Sequence, residues 1–177
     1  MFKHALKWGT IIGVISILYV LLLYVIGMSA NKLLSRLGLL ILIVGIVIAT
    51  IKYRNNVLGG GISFGKCFSY GLLVSVIVAL ISSVFSYILY TYIAPEMWQE
   101  FVELSQQQAL DKLESSGMDI DDIDGVMEMS SMFVKPLVIS ISSFFSIVLY
   151  GGIVSLIASI FIKKEKPIFE SEDNLTE

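Results

Sequence analysis

The sequence predicts an all-α integral membrane protein with four transmembrane helices and an extracytoplasmic helical hairpin between helices three and four. Three observations support this class. Apolar residues make up 56% of the 177 residues, and the mean hydropathy is +0.85. Only 15% of the residues are charged, against about 25% in a typical soluble domain. Charged residues are also absent from four runs, which lie between Lys7 and Lys32, Arg36 and Lys52, Lys66 and Glu96, and Lys135 and Lys163.

Each of these runs predicts one membrane-spanning helix, because a helix needs about 20 apolar residues to cross the hydrocarbon core. The second run is short, and it reaches that length when Leu33 and Leu34 join it and Arg36 extends its charged head to the interface. A β-barrel would alternate apolar and polar residues, and LLILIVGIVIA does not alternate. We therefore expect one membrane domain over residues 1–177, with spans at residues 8–28, 33–51, 67–94 and 136–162.

The distribution of lysine and arginine predicts that both termini are cytoplasmic, because these residues concentrate on the cytoplasmic side of a membrane. Eight lie on the side of the termini and four on the other. The eight are Lys3, Lys7, Lys52, Arg54, Lys66, Lys163, Lys164 and Lys166. The four are Lys32, Arg36, Lys112 and Lys135. Ten acidic residues in the loop between spans three and four are consistent with this orientation.

That loop, residues 96–134, predicts the helical hairpin. Its first half carries apolar residues at helical spacing: Trp98, Phe101, Val102, Ala109 and Leu113. Its second half starts a new helix with Asp119 as N-cap. The apolar faces close the hairpin, rest on the bilayer or dock on a partner. The acidic tail, residues 165–177, is expected to be disordered.

Two segments match ligand-binding motifs only in part. GGGISFGKC contains G-x-x-x-x-G-K, which is most of a phosphate-binding loop, with Cys67 in place of the hydroxyl residue that binds magnesium. A membrane helix precedes it where a phosphate loop needs a strand, so we interpret it as a turn whose Ser63 caps the third helix. DIDDIDG fails the spacing of a calcium loop. No nucleotide, cofactor or metal site is expected.

Catalytic chemistry and nucleic-acid binding are not expected either. The part of the spans within the hydrocarbon core holds no Asp, Glu, Lys, Arg or His, which proton relays and ion-coupled carriers normally need. His4 is the only histidine and is expected to be a solvated residue at the interface, and Cys67 is the only cysteine. Since no nucleophile–base pair or metal cluster is visible, the sequence predicts no catalytic residue and no enzyme.

Small residues four positions apart are the main positive feature of the spans. Such residues let helix backbones approach closely in lipid, so we predict that they are helix-packing positions. They are Gly45 and Ala49 in the second span, Gly71, Ser75, Ala79 and Ser83 in the third, and Gly151, Ser155 and Ser159 in the fourth. The alternative is that serines such as Ser142, Ser146 and Ser155 line a polar path.

These two interpretations lead to two functions. The first is a structural or accessory protein that packs through its small-residue faces with a second copy or with a larger membrane complex. The lipid bilayer is its other expected partner. The second is a small transporter or channel for a neutral solute.

Two blocks of the sequence resemble a bacterial membrane family, the domain of unknown function four-one-nine-nine. One is GGGISFGK followed by a long helix that ends in YIAPE, and the other is GMDIDDIDGVMEMSSMFVKP. The resemblance implies a small inner-membrane protein with four spans and no established activity. It assigns family-motif positions to Gly60, Gly61, Ser63, Phe64 and Gly65 in the turn, and to Gly117, Met118, Met127, Glu128 and Met129 before the last span. It supplies no catalytic residue.

Overall fold

We describe a computed structural model of the chain over residues 1–28, 31–115 and 135–164. The helices are α1 (Phe2–Val25), α2 (Lys32–Asn56), α3 (Phe64–Ile88), α4 (Pro95–Ser115) and α5 (Pro136–Ile162), and a π-helical turn, Leu89–Ile93, continues α3. Within the described ranges there is no strand, only an isolated bridge between Ile62 and Lys164. The predicted all-helical class is therefore confirmed.

Four of these helices are long and apolar enough to cross a membrane. These candidate spans are Phe2–Val25, Arg36–Asn56, Phe64–Ile93 and Pro136–Ile162. The first helix starts earlier than the span predicted from residue 8, because a helix does not have to stop where the hydrocarbon ends. Lys3 and Lys7 are exposed on its first two turns.

Local sequence signals account for the helix boundaries. The side chain of Asn31 accepts hydrogen bonds from the backbone N–H groups of Leu33 and Leu34, at 3.0 and 3.3 Å, and so caps the start of α2. Pro136 occupies the first turn of α5, where its missing N–H costs nothing. Ser63 takes the N-cap position of α3, but its side chain makes no cap hydrogen bond. The prediction that Ser63 is the N-cap residue is therefore confirmed, but its side chain does not form the expected hydrogen bond.

The first helix of the predicted hairpin is α4, and its start carries Glu96 in the first turn as expected. Residues 116–134, which include the predicted second helix, the DIDDIDG segment and the family positions from Gly117 to Met129, lie outside the described residues. The tail from residue 165 lies outside them too.

The four spans run up and down as a bundle. At one end, Arg54 near the end of α2 contacts Ile162 at the end of α5, and His4 of α1 contacts Tyr70 of α3. At the other end, Tyr19 of α1 donates to the carbonyl oxygen of Leu34 in α2. The most extensive contact joins α3 to α5, and the next joins α1 to α3. Consequently α3 is the central helix of the bundle.

The interior and exterior of the bundle are both apolar. Ile46 of α2 and Tyr70 and Val74 of α3 are fully buried. Large apolar side chains also cover the outside, and Phe161 of α5 is 81% exposed. A soluble monomer rarely exposes such extended apolar surface. The exterior therefore matches a protein that faces hydrocarbon and not water.

Candidate functional site

Two glycine–serine pairs join α3 to α5, and we call these four residues the seam. A Cβ atom added to Gly71 would lie 2.8 Å from the Cβ of Ser155, and one added to Gly151 would collide with the side chain of Ser75. The helices are antiparallel, so each glycine receives the serine of the opposite helix. This reciprocal fit brings the two backbones together as closely as small residues allow in a membrane.

The serine hydroxyls of the seam are satisfied within their own helices. Ser75 donates to the carbonyl oxygen of Gly71 at 2.8 Å, and Ser155 donates to that of Gly151 at 2.6 Å. Both serines are buried. A hydroxyl that bonds four residues back along its helix leaves little capacity for a solute. The seam is therefore a packing surface and not a polar path.

The remaining predicted packing positions also make contacts inside the chain. A Cβ on Gly45 of α2 would lie 2.8 Å from Ile12 of α1. Ala49 and Ala79 are fully buried, and buried Ser159 donates to the carbonyl oxygen of Ser155 at 2.5 Å. Ser83 differs from the others, because it is only half-buried and lines an apolar groove between α3 and α5. The small-residue faces thus close the bundle on itself.

A cavity of about 370 Å³ lies between the four spans, on the side of the seam away from the ends of α2 and α5. Hydroxyl groups from three helices line it, and we call it the hydroxyl cavity. The hydroxyl residues are Ser16 and Tyr19 of α1, Ser82 and Ser86 of α3, and Ser143, Ser146 and Tyr150 of α5. Apolar side chains, among them Leu42 of α2 and Val78 of α3, complete the lining.

Some of these hydroxyls have hydrogen bonds and others do not. Ser16 and Ser143 each donate to a carbonyl oxygen four residues back, at 2.9 and 2.8 Å. Ser82 and Ser86 are half-buried and Ser146 is exposed, and in the described part of the chain their hydroxyls do not make the bond to their own backbone that Ser16 and Ser143 make. The cavity therefore collects donor and acceptor capacity that the helices leave unused.

The cavity has no charge and is closed at one end. No residue in its lining is acidic or basic. Leu42 and Val78 are buried beside it, and the tightly packed seam lies on the side toward the start of α3. The space is therefore a recess that can hold a small uncharged molecule, and it is not a continuous pore.

The three serines predicted as an alternative polar path separate in the structure. Ser146 lines the hydroxyl cavity, Ser155 belongs to the seam, and Ser142 is exposed on the outside of α5. Sequence reasoning missed Ser16, Ser82, Ser86 and Ser143 as cavity residues. For Ser82 and Ser86, the spacing of four residues, which places both on one helix face, is a signal that could have identified them.

An aromatic cluster closes the bundle at the end where α1 and α3 begin. His4 Nδ1 lies 2.6 Å from the hydroxyl oxygen of Tyr70, and the Tyr70 ring stacks on Tyr53 of α2 with centroids 4.1 Å apart. His4 is half-buried, so it differs from the expected solvated residue. Its partner is 66 residues away, which is why the local sequence gave no sign of the contact.

The GGGISFGK turn lies next to this cluster and ties three helices together. Gly59 and Gly60 adopt φ angles of 64° and 92°, which favour glycine. Ile62 and Lys164 exchange two backbone hydrogen bonds, at 2.8 and 3.0 Å, and so join the turn to the end of α5. Because α2 and not a strand leads into it, the turn has the architecture of a helix connection and not of a phosphate-binding loop.

At the opposite end, α4 is fastened to the bundle by one polar and one aromatic contact. The Tyr24 hydroxyl donates to Glu96, and this bond holds the pKa of the exposed Glu96 carboxyl below its ordinary value. A hydrogen bond from the backbone lowers that pKa further. The rings of Tyr90, Trp98 and Phe101 form a cluster in which Trp98 lies 5.6 Å from Tyr90 and 5.8 Å from Phe101.

In the described part of the chain, no group of three or more His, Cys, Asp or Glu residues could hold a metal ion. A comparison with protein families finds a match over residues 7–164 to the family described as "Protein of unknown function (DUF4199)". Neither the curated proteins nor the solved structures give a match. Because the family match spans most of the chain and agrees with the resemblance of the two sequence blocks, this protein belongs to the DUF4199 family.

Proposed function

We propose that the protein is a small multi-pass carrier that binds a neutral polar solute in the hydroxyl cavity. One observation carries this proposal: seven hydroxyl-bearing residues line one recess of about 370 Å³ among four apolar helices. Hydroxyl groups can both donate and accept hydrogen bonds, so the recess favours a polar occupant over an apolar one.

The solute is neutral because the cavity offers no counter-charge. Its lining contains hydroxyls and apolar groups and no carboxylate, ammonium or guanidinium. Transfer of an unpaired ion into such a site is far more costly than transfer of a hydroxyl compound. Small polyols, urea and similar amides fit both the volume and the hydrogen-bonding groups.

The closed seam favours a carrier over an open channel. Passage toward the start of α3 requires the contact between α3 and α5 to separate at Gly71 and Gly151. Glycine and serine have small side chains, so separation of the helices at these two positions does not require large side chains to disengage. Binding at the recess followed by opening of the seam is the transport cycle that we propose.

Stopped-flow light scattering on proteoliposomes tests the proposal, with glycerol, erythritol and urea as probes. The wild-type protein is expected to accelerate the uptake of at least one of them over protein-free vesicles. Ser86→Leu fills the cavity and should abolish the acceleration. Ser142→Leu is the matched control, because Ser142 lies on the exposed face of the same bundle and should leave uptake unchanged.

Two results would count against the carrier. One is uptake at the rate of protein-free vesicles for every probe. The other is an equal loss in Ser86→Leu and Ser142→Leu, which would indicate general damage to the bundle and not a filled cavity.

The same proposal includes the cell location. We place the protein in the bacterial inner membrane with both termini in the cytoplasm and α4 outside. The excess of lysine and arginine near the ends of α2 and α5 supports this orientation, as does the acidic character of α4.

A second candidate function is that of an accessory subunit that binds a second copy or another membrane protein. The observation that favours it is α4, whose contacts with the described bundle centre on the π-helical turn at its start. Farther along this helix, Leu104 is exposed beside the carboxylates Glu100 and Glu103. The small-residue faces give it less support, because their contacts lie inside the chain.

Site-specific photocrosslinking in the native membrane tests this second function. A photoreactive residue at Leu104 should capture a reproducible partner, while one at Leu149 on the lipid-exposed face of α5 serves as the control. Identical products at both positions, or none at Leu104, would contradict a docking role for α4.

A further inference from the structure

The charged residues of the bundle lie at its two ends and not between them, and the cations are unequally divided. We call the end where α1 and α3 begin and α2 and α5 end the basic end. Its cations are Lys3, Lys7, Lys52, Arg54, Lys66, Lys163 and Lys164. The first three candidate spans each contain at least one of them, and Lys163 and Lys164 directly follow the fourth, so the positive charge surrounds the whole cross-section of the bundle.

No carboxylate of the described chain neutralises this end. Residues 1–28, 31–94 and 135–164 contain neither Asp nor Glu. The carboxylates of the described residues all belong to α4, which is fastened to the opposite end through Tyr24 and Glu96. The field of the basic end is therefore uncompensated by the folded bundle.

Two of the cations already have partners in the protein. Lys52 Nζ lies 5.8 Å from the ring centroid of Trp8, and the Arg54 guanidinium donates to the carbonyl oxygen of Ile162 at 3.1 Å. The side chains of the other five, Lys3, Lys7, Lys66, Lys163 and Lys164, are exposed.

The backbone orders three of these exposed lysines relative to each other. The hydrogen bonds between Ile62 and Lys164 attach the end of α5 to the turn that precedes Lys66. Lys163 adjoins this bridge directly. The backbone therefore holds the lysines of α3 and of the end of α5 close to each other. Their side chains are exposed and can reach an anion.

We propose that the basic end binds anionic phospholipid headgroups and that these lipids bridge α1, α3 and α5. The position of the cations selects a lipid: they terminate apolar spans, so they lie at the depth of the headgroup phosphates. A lipid with two phosphates can contact lysines of two helices at once. This inference is independent of the solute proposed for the hydroxyl cavity.

Thermal unfolding of the purified full-length protein in a neutral detergent tests the inference. Added cardiolipin or phosphatidylglycerol should raise Tm in a concentration-dependent way, because a ligand that binds only the folded state stabilises it. Phosphatidylcholine should have no such effect. High salt should reduce the shift, since it screens exposed charges.

A charge-removal variant locates the effect. Lys3→Gln, Lys7→Gln, Lys66→Gln and Lys163→Gln combined should lose most of the lipid-dependent shift in Tm. The same four positions changed to Arg should retain it, which separates lost charge from lost folding. Lys112→Gln, on α4 at the other end, is the matched control and should behave as wild type.

Four results would overturn the inference. Equal shifts in Tm with phosphatidylcholine and with anionic lipids would show that the charge of the headgroup plays no part. Equal shifts from inorganic phosphate would assign the site to a free anion. An unchanged shift in the Gln variant would place lipid binding elsewhere. A shift that appears only after removal of residues 165–177 would make the acidic tail the occupant in the full chain.

Discussion

At the scale of single residues, Gly151 shows how little space the seam leaves. A methyl group there would collide with Ser75, whereas a methyl group on the next residue, Gly152, would make an ordinary contact of 3.6 Å with Leu72. Both glycines lie in the middle of α5, so alanine gains the same helix propensity at either position. The difference between the two substitutions therefore isolates the cost of the collision.

Gly151→Ala is expected to lower the free energy of unfolding by about 1–3 kcal/mol relative to Gly152→Ala, as overpacking does in other interiors. Unfolding in mixed micelles, with increasing denaturing detergent, measures this difference. Adding Ser75→Gly to Gly151→Ala should recover part of the loss, because it removes the group that collides. Equal stability of the two single variants would show that the seam can widen without cost.

Glu96 supplies a pH-dependent prediction at the same scale. Its pKa in the folded protein is lowered below the ordinary value of 4.5, mainly by the hydrogen bond from Tyr24. The bond to α1 is therefore fully present above that ordinary value and is lost as the pH falls through the lowered pKa. Tyr24→Phe should move the pKa of Glu96 upward, toward the ordinary value.

Carbon-13 NMR of glutamate-labelled protein measures this pKa, with Glu96→Gln to assign the resonance. The Tyr87→Phe variant is the control, because Tyr87 is an exposed tyrosine without this bond. A pKa of Glu96 that is the same in wild type and Tyr24→Phe would mean that the hydrogen bond is not formed in the membrane.

At the scale of secondary-structure elements, α4 is the helix with the weakest attachment. Trp98 links it to Tyr90 of the π-helical turn and to Phe101 on its own next turn. Aromatic pairs of this kind contribute about 0.5–1.5 kcal/mol beyond the area that they bury. Trp98→Ala should therefore speed amide hydrogen exchange in α4 and leave exchange in α3 and α5 unchanged.

Hydrogen-exchange mass spectrometry checks this expectation peptide by peptide. Gln99→Ala is the matched control, because Gln99 is the exposed neighbour on the same turn. If the Trp98 variant exchanged faster throughout the bundle, α4 would be an integral part of the membrane domain and not a separately attached element.

The elements also show which features a sequence can predict. The spans depend on local composition, and the small residues depend on a spacing of four along one helix, so both are visible without a structure. The contact between Gly71 and Ser155 depends on the register of two helices that are far apart in the chain. The hydroxyl cavity is less visible still, because Ser16, Ser82 and Ser143 meet only after three helices have assembled.

At the scale of the whole molecule, the unequal distribution of lysine and arginine predicts a single orientation in the membrane. Cys67 is buried and gives little background in a labelling experiment. Cysteines introduced as Gln107→Cys on α4 and Lys163→Cys after α5 are at exposed positions. An impermeant maleimide applied to intact spheroplasts should label Gln107→Cys and should label Lys163→Cys only after lysis.

The reverse pattern would invert the proposed topology, and labelling of both cysteines before lysis would indicate a mixed orientation. Either result would show that the distribution of lysine and arginine does not determine the orientation of the protein in the membrane. The fold itself would remain, since the contacts between helices do not depend on which side of the membrane each end faces.

The reciprocal arrangement of Gly71 with Ser155 and of Gly151 with Ser75 has an evolutionary consequence. The space between the two helices limits the summed side-chain volume of each facing pair. A glycine on one helix can therefore be replaced by serine if the serine that faces it is replaced by glycine. Among homologous chains, residues at positions 71 and 155 should therefore covary, as should those at 75 and 151. Correlated exchange across these pairs, with little variation in their total size, is the mark that this packing would leave on the family's history.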